Sequence, residues 1–362
     1  MFNLLLMGIL QSERLSLRVM EELFSTQKFQ TFSGLDIDSS TRHSSIRDRI
    51  ATIPSLYFEE LFYKIADLLN RKYKQKDIGK YKVERFDSTV VSLSSKLLNF
   101  GMISGGETKD GKRRIHQLKF TIGFNGLLPR KVKVYTEQKY LAENDKLFET
   151  IIENEFEKNN IAVFDRGLNS SAKFSKIDKA NKLFVTRINP TKNYKIIKII
   201  SEQIQEINTL NIEKDLMVTP RNHDGKYIQT PLRLKVARSK KNNEQIYFIS
   251  NIEDLTSEEI TEIYKMRWDI EVFFRFVKQA VNLNHLVSRS HNGILVMLYM
   301  TLITAMLLLI YKHVNNVSDY KIAKTKFTNE LDQELLKEII IACKGDPNLL
   351  RNRASPCCFV QS

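Results

Sequence analysis

The sequence predicts a mixed α/β protein: a sheet flanked by helices, with a β-rich insertion before the last long helix and a helical region at the N-terminus. Three observations carry this. Residues 11–78 have helical spacing. From 82 to 188 the pattern becomes strands that alternate apolar with polar residues and then alternate with helices. Residues 191–251 are again β-like, and a helical pattern resumes at about 256.

In the N-terminal part, SERLSLRVMEELF has helical periodicity, and SSIRDRIATIPSLYFEELFYKIADLLN gives two helices broken at Pro54. Ser45 with Asp48 resembles a weak capping pair for the first, and Ser55 is placed to cap the second. KVERFDSTVVSL (82–93) is rich in β-branched residues. RIHQLKFTIGF (114–124) and LPRKVKVYTE (128–137) are separated by Asn125-Gly126, a strong hairpin signal. A helix over about 144–158, a short buried strand in IAVFDRG (161–167), another helix and the strand KLFVTRI (182–188) follow. Three antiparallel strands followed by alternating helix and strand give a mixed sheet. LMVTP, LRLKVAR and QIYFISN supply strands to the insertion, and Thr256 with Glu259 forms a capping-box signature at the head of the last long helix. The expected organisation is a helical region at 1–78, a catalytic domain from 79–190 and 252–315, an insertion at 191–251, and a helical region and tail at 316–362.

Composition narrows the function. The chain has 362 residues, 42% hydrophobic and 27% charged, normal for a folded protein with a proper core. Lys and Arg total 56 against 42 Asp and Glu, a net charge of +14. That excess fits a polyanionic partner, and equally fits simple solubility. The three cysteines, Cys343, Cys357 and Cys358, form neither a disulfide framework nor a zinc-ligand spacing, which points to a reducing cytoplasm. The apolar start, MFNLLLMGILQSERL, lacks a basic leader and is not read as a secretory signal. Ile294 to Tyr311 is 18 residues without a charge, just long enough to span a membrane, but a helix buried on all sides in a globular core is the favoured reading.

Three acids stand out. Asp87 ends the first strand, Asp165 ends the buried strand in VFDRG, and Glu271 lies within YKMRWDIEVFFRFVK. A carboxylate at a strand end beside apolar neighbours is an uncommon place for a charge, and a divalent cation would offset the desolvation of grouping several. Magnesium prefers such oxygen ligands, and the six histidines show no paired metal spacing. On one continuous helix Tyr264, Arg267, Glu271 and Lys278 fall within an arc of roughly 60°. Ile263, Ile270, Phe274 and Val277 fall on the neighbouring arc, suited to packing on the sheet. Arg and Lys suit phosphate contacts. Seen singly, each motif is also an ordinary turn, cap or surface pair; the combination carries the weight.

At these residues the chain resembles the insertion-sequence transposases of family four, which have a DDE catalytic domain. Their signature helix, Tyr-x2-Arg-x3-Glu-x6-Lys, is matched by Tyr264, Arg267, Glu271 and Lys278 with the spacing intact. FDSTVV around Asp87 and VFDRGLNS around Asp165 match the two Asp motifs, and the resemblance covers about 80–312. It implies an RNase H-like fold in which Asp87, Asp165 and Glu271 are the catalytic residues and bind two Mg²⁺ or Mn²⁺ ions. It implies excision of an element at its terminal inverted repeats and joining of the 3′ ends to target DNA, with a homodimer as the expected assembly. Tyr264, Arg267 and Lys278 take the role of holding DNA phosphates. Trp268 is expected to pack rather than stack on a base. Arg289 and His291 are exposed-loop candidates for DNA contact. The resemblance also favours a buried helix, packed on the sheet, over a membrane span at 294–311. A DNA-binding relic without activity, and a related nuclease that does not join strands, remain the alternatives.

Overall fold

A computed structural model of the chain describes residues 1–12, 14–36, 38–73, 78–93, 102–104, 115–125, 128–135, 143–153, 159–281, 283 and 286–350. The chain divides into two compact units, residues 1–62 with 276–362 and residues 63–275.

The first unit is helical. It contains α1 (Phe2–Gln11), α2 (Leu17–Phe24), α3 (Gln27–Phe32), α4 (His43–Thr52), the start of α5 (Ser55–Lys72), α10 (His291–Val314) and α11 (Tyr320–Ala342). Within this unit, helix α10 contacts α1, α4 and α11. It is the one helix among the described residues long and apolar enough to cross a membrane, and 83% of its most apolar 18-residue window is buried inside the structure. Its two buried threonines are satisfied within the helix: Thr301 and Thr304 donate to the carbonyls of Met297 and Met300. Pro54 breaks the chain between α4 and α5, as the sequence predicts. Asn292 closes that break by donating to the Ala51 and Ile53 carbonyls and accepting from the Ser55 amide. Ser55 is therefore the first helical residue and not its cap. The Ser45–Asp48 capping pair does not form either, because α4 already begins at His43. The orphan amide of His43 donates instead to Glu21 of α2.

The second unit is a mixed α/β body. Its strands are β1 (Lys82–Ser92), β2 (Met102–Ser104), β3 (Ile115–Asn125), β4 (Leu128–Tyr135), β5 (Asn160–Phe164), β6 (Leu183–Ile188), β7 (Tyr194–Ser201), β8 (Gln205–Ile207), β9 (Leu210–Pro220), β10 (Leu232–Ser239) and β11 (Gln245–Ser250). Among the described residues they form one eleven-stranded sheet in the order β2-β3-β1-β5-β6-β11-β10-β9-β7, with β4 on β3 and β8 on β9. Strands β1, β3 and β4 are antiparallel, and β5 and β6 run parallel to β1. That is the RNase H-like order. The turn linking β3 to β4, at Gly126, lies outside the described residues. The β-rich insertion is not a separate layer: β11 pairs antiparallel with β6, so residues 191–251 lengthen the same sheet.

Helices α6 (Glu143–Glu153) and α7 (Ser171–Lys179) pack on one face, where Phe86, Ala162, Phe164, Phe174 and Phe184 form the core. The other face carries Val83, Ile161, Val163 and Val185, covered by Ile260, Ile263 and Tyr264 of α8 (Ser257–Lys265). Strand β5 is buried at every residue, which fits the apolar run IAVF after Asn160. Its odd and even positions serve opposite faces, since strand side chains alternate.

Candidate active site

That alternation places the two aspartates. On β1, Phe86 faces the α6–α7 side, so Arg85 and Asp87 face the α8 side with Val83. On β5, Val163 faces α8, and the same alternation carries Asp165, the residue just after the strand, to that side. The parallel register pairs Lys82 with Asn160 through Arg85 with Val163. Two further steps of the same offset set Asp165 beside Asp87. The paired ladder itself ends at Arg85–Val163, and Asp165 follows it just past the end of β5. Asp87 sits within β1, opposite Ile122 of β3, and not at its end as the sequence suggests. Strand β1 continues past it because β3 remains its partner as far as Ser92 and Gln117. Asp165 does terminate its strand; its carbonyl accepts from the Leu168 amide in the turn that leads towards α7.

Helix α9 (Trp268–Ala280) lies over this part of the sheet. Phe273 and Phe274 meet Phe124 and Phe120 of β3 edge-on, with ring centroids 4.8 and 5.9 Å apart. Arg85 is buried and donates to Asp269 of α9 at 2.8 Å, tying β1 to the helix two residues from Asp87 and two from Glu271. Ile263, Ile270, Phe274 and Val277 are all buried, as the helical spacing predicts.

The signature is not carried by one continuous helix. Met266 and Arg267 form a turn between α8 and α9. The capping box of Thr256 and Glu259 opens α8 as predicted. The side chains nevertheless converge. Arg267 donates through Nε to the Tyr264 hydroxyl at 3.2 Å and through Nη1 to Glu271 Oε1 at 2.6 Å. Burial pushes the Tyr264 phenol above its ordinary value and the Asp165 charge adds to this, against the pull of Arg267 and Arg187. Tyr264 stays protonated, and with its oxygen accepting from Arg267 its proton remains to donate. Burial alone would lower the Arg267 guanidinium; Tyr264, Glu271 and Asp165 outweigh it and raise it.

The sequence reading missed two arginines. Arg187 of β6 lies over the Tyr264 ring at 5.8 Å, and the Arg267 guanidinium lies 5.3 Å from the same ring. Arg85 holds α9. Strand parity is the signal that finds both: Arg187 shares its face with Val185, and Arg85 with Asp87. Lys278 lies in the last turn of α9, half-buried, and Arg289 is exposed just before α10. Trp268, expected to pack, is 54% exposed, because the break at Met266–Arg267 turns the first residue of α9 outward.

The carboxylate oxygens of Asp87 and Asp165 are the donor type that suits a hard divalent cation. Among the described residues no three His, Cys, Asp or Glu side chains are grouped closely enough to hold a metal together. Glu271 is engaged by Arg267 instead.

Residues 81–307 match the model of the transposase DDE domain. A putative transposase for insertion sequence element IS4SA from Synechocystis is 27% identical over 76% of this chain and 72% of its own length. The putative transposase y4zB of Sinorhizobium fredii is 22% identical over 75% of this chain and 72% of its own. A probable transposase for insertion sequence element IS5377 of Geobacillus stearothermophilus is 34% identical over a shorter stretch, 18% of each chain.

Proposed function

The chain belongs to the transposase DDE domain family, and from that premise we propose that it cuts DNA at the ends of an insertion sequence and transfers the strands to target DNA. The observation that carries this reading is the register match of Asp87 and Asp165 on the face beneath α8 and α9. Two acids arriving from different strands at one level are what in-line attack on a phosphodiester needs, once paired with divalent cations.

In this reading Asp87 and Asp165 hold Mg²⁺ or Mn²⁺, and Glu271 completes the set when its ion pair with Arg267 opens. Two such ions, when bound, activate the attacking hydroxyl and stabilise the leaving oxygen. The residues around them do the positioning. Tyr264 donates its phenolic proton to a phosphate oxygen. Arg267 exchanges Glu271 for the DNA backbone; Lys278, as a point charge, and Arg289, as a planar fork, are each assigned a DNA-phosphate contact. Arg85, through Asp269, ties α9 to β1 two residues from Asp87 and two from Glu271. The partners are the element's ends and the target DNA, met by a homodimer in the cytoplasm.

The test is incubation of the full chain with linear DNA carrying the element's ends and Mg²⁺ or Mn²⁺. Cleavage and joining are expected for the natural chain, with neither in Asp87→Ala, Asp165→Ala or Glu271→Ala. Cleavage without joining identifies a nuclease. DNA binding without cleavage in the natural chain identifies an inactive relic.

A further inference from the structure

The C-terminal ends of β5 and β6 lead into a second cleft. Its volume is about 430 Å³, and its walls come from the turn before α7, the chain after β6 and the loop between β9 and β10. Of the residues lining it, Lys192, Arg221 and His223 can carry positive charge and none can carry negative charge. The rest are mainly amides and hydroxyls, among them Asn169, Asn193 and Ser171.

The cations are held in place without a carboxylate. Lys192 Nζ donates to the Asn169 carbonyl at 2.8 Å and to its side-chain oxygen at 3.0 Å, and stands 5.5 Å from the Phe174 ring centre. Arg221 donates through Nε to the Gly225 carbonyl at 2.7 Å. Gly225 has φ +83°, a backbone conformation that favours glycine. The Ser171 hydroxyl donates to the Arg221 carbonyl at 2.9 Å and fixes that loop to the head of α7. Ser170, the residue capping α7, makes no side-chain hydrogen bond to its amides, which leaves the positive end of a nine-residue helix at the cleft. The one acid of the loop, Asp224, is turned to the Lys226 amide and does not line the cleft.

A half-buried ammonium satisfied only by neutral oxygens is an unbalanced arrangement, and an oxyanion with several acceptors balances it. We propose that this cleft binds a phosphate group, supplied by a DNA backbone, separately from the aspartate pair. Burial holds Lys192 down at about 8, the condition that a bound anion would reverse. The position agrees with the general placement of ligands beyond the carboxyl ends of parallel strands. A strand of DNA lying across Asp165 would reach the cleft from the same end of the sheet. The DNA source rests on the reading under Proposed function; the anion site itself does not.

The experiment uses the full chain carrying Asp87→Asn, without divalent metal, so that binding is read apart from cleavage. A labelled linear duplex is titrated at several salt concentrations, and inorganic phosphate is titrated separately by calorimetry. Arg221→Gln and Lys192→Met are each expected to weaken duplex binding about tenfold and to reduce the slope of log K against log salt by about one. A lysine that merely props up the Asn169 turn would leave the salt slope unchanged. Loss of inorganic phosphate binding with unchanged duplex binding would overturn the DNA source and leave a free-phosphate site. Unchanged binding of both, in variants that melt as the parent does, would overturn the site. Arg221 is exposed, so Arg221→Gln keeps the test available if Lys192→Met fails to fold. Failure of the transposase reading shows separately, as absent cleavage by the chain with Asp87 intact.

Discussion

Arg267 donates through Nη1 to Glu271 Oε1 at 2.6 Å, across the first turn of α9. Tyr264, a third member of the signature, joins this pair. Tyr264 lies against one side of the arginine, and the Asp165 charge contributes to holding the guanidinium protonated. In the proposed function a phosphate would take the arginine from this pair and free the carboxylate.

Arg267→Gln should weaken binding of element ends and flatten its salt dependence by about one phosphate contact. Glu271 is partly exposed, so losing its partner should cost little stability, about 0.5 kcal/mol. Affinity measured at several salt concentrations, beside a thermal melt, checks both. A large drop in melting temperature with unaltered DNA affinity would assign Arg267 to structure alone.

Asp87→Asn and Asp165→Asn should abolish strand cleavage, by at least about a thousandfold, while the chain still binds DNA. The two should fail alike, since the register gives them equivalent places. Single-turnover cleavage with Mg²⁺ and then Mn²⁺ reads this, and a variant retaining near-parental rates would remove that aspartate from the site.

In the insertion, Asp215 receives both nitrogens of a bidentate Arg233, at 3.0 and 2.8 Å, and the Lys235 ammonium at 2.6 Å. Lys235 is 1% exposed and also donates to Ser257, the first residue of α8. Asp215→Ala would leave the buried Lys235 and the half-buried Arg233 without their carboxylate and should destabilise by about 3 kcal/mol. Burial raises the Asp215 carboxyl, but Arg233 and Lys235 outweigh it and hold it below its ordinary 3.8. Its stabilisation is thus complete above pH 3.8 and lost as pH falls through the lowered value. Acid titration of the parent and Asp215→Asn should show a component at low pH that only the parent loses.

Lys192 gives the opposite sign. Its ammonium titrates at about 8 in the folded chain against 10.5 when unfolded. Between those values the unfolded state holds the extra proton, so the contribution of Lys192 to stability rises with pH. Denaturant unfolding at pH 8 and pH 10 should show a smaller rise, or a larger fall, for Lys192→Met than for the parent. Identical pH dependence in both proteins would contradict the burial of that charge.

The capping box sets the start of α8, seven residues before Tyr264. Thr256→Ala removes the acceptor of the Glu259 amide at 3.1 Å and should cost about 1 kcal/mol. A corresponding drop in end binding would show that α8 orients Tyr264; stability loss alone would confine the cap to folding.

Much of this was legible in the chain. The break at Pro54, the capping box at Thr256, the alternating strands and the apolar run at 294–311 follow from local rules, because each depends on neighbours within a turn or a pleat. The spacing of Tyr264, Arg267, Glu271 and Lys278 singled out the right segment. It did so on the assumption of a continuous helix, and a turn at Met266–Arg267 replaces that helix while keeping the hydrogen bonds among three of the four. The helix break and the exposure of Trp268 were hidden, since the same residues are compatible with an unbroken helix.

Sequence by itself determined which residue types sit at each turn, strand and helix, and which acids stand among apolar neighbours. Only the tertiary structure decided that Asp87 and Asp165 share one level and one face, because register between two strands separated by some seventy residues is set by sheet packing and not by either strand. It also decided that the insertion lengthens the sheet and that Arg187 meets Tyr264. It brought Lys192 and Arg221 to one cleft without a carboxylate among its walls. Side-chain alternation is local and can be read along a chain; which strand lies beside which is a long-range result of burying both faces of the sheet at once.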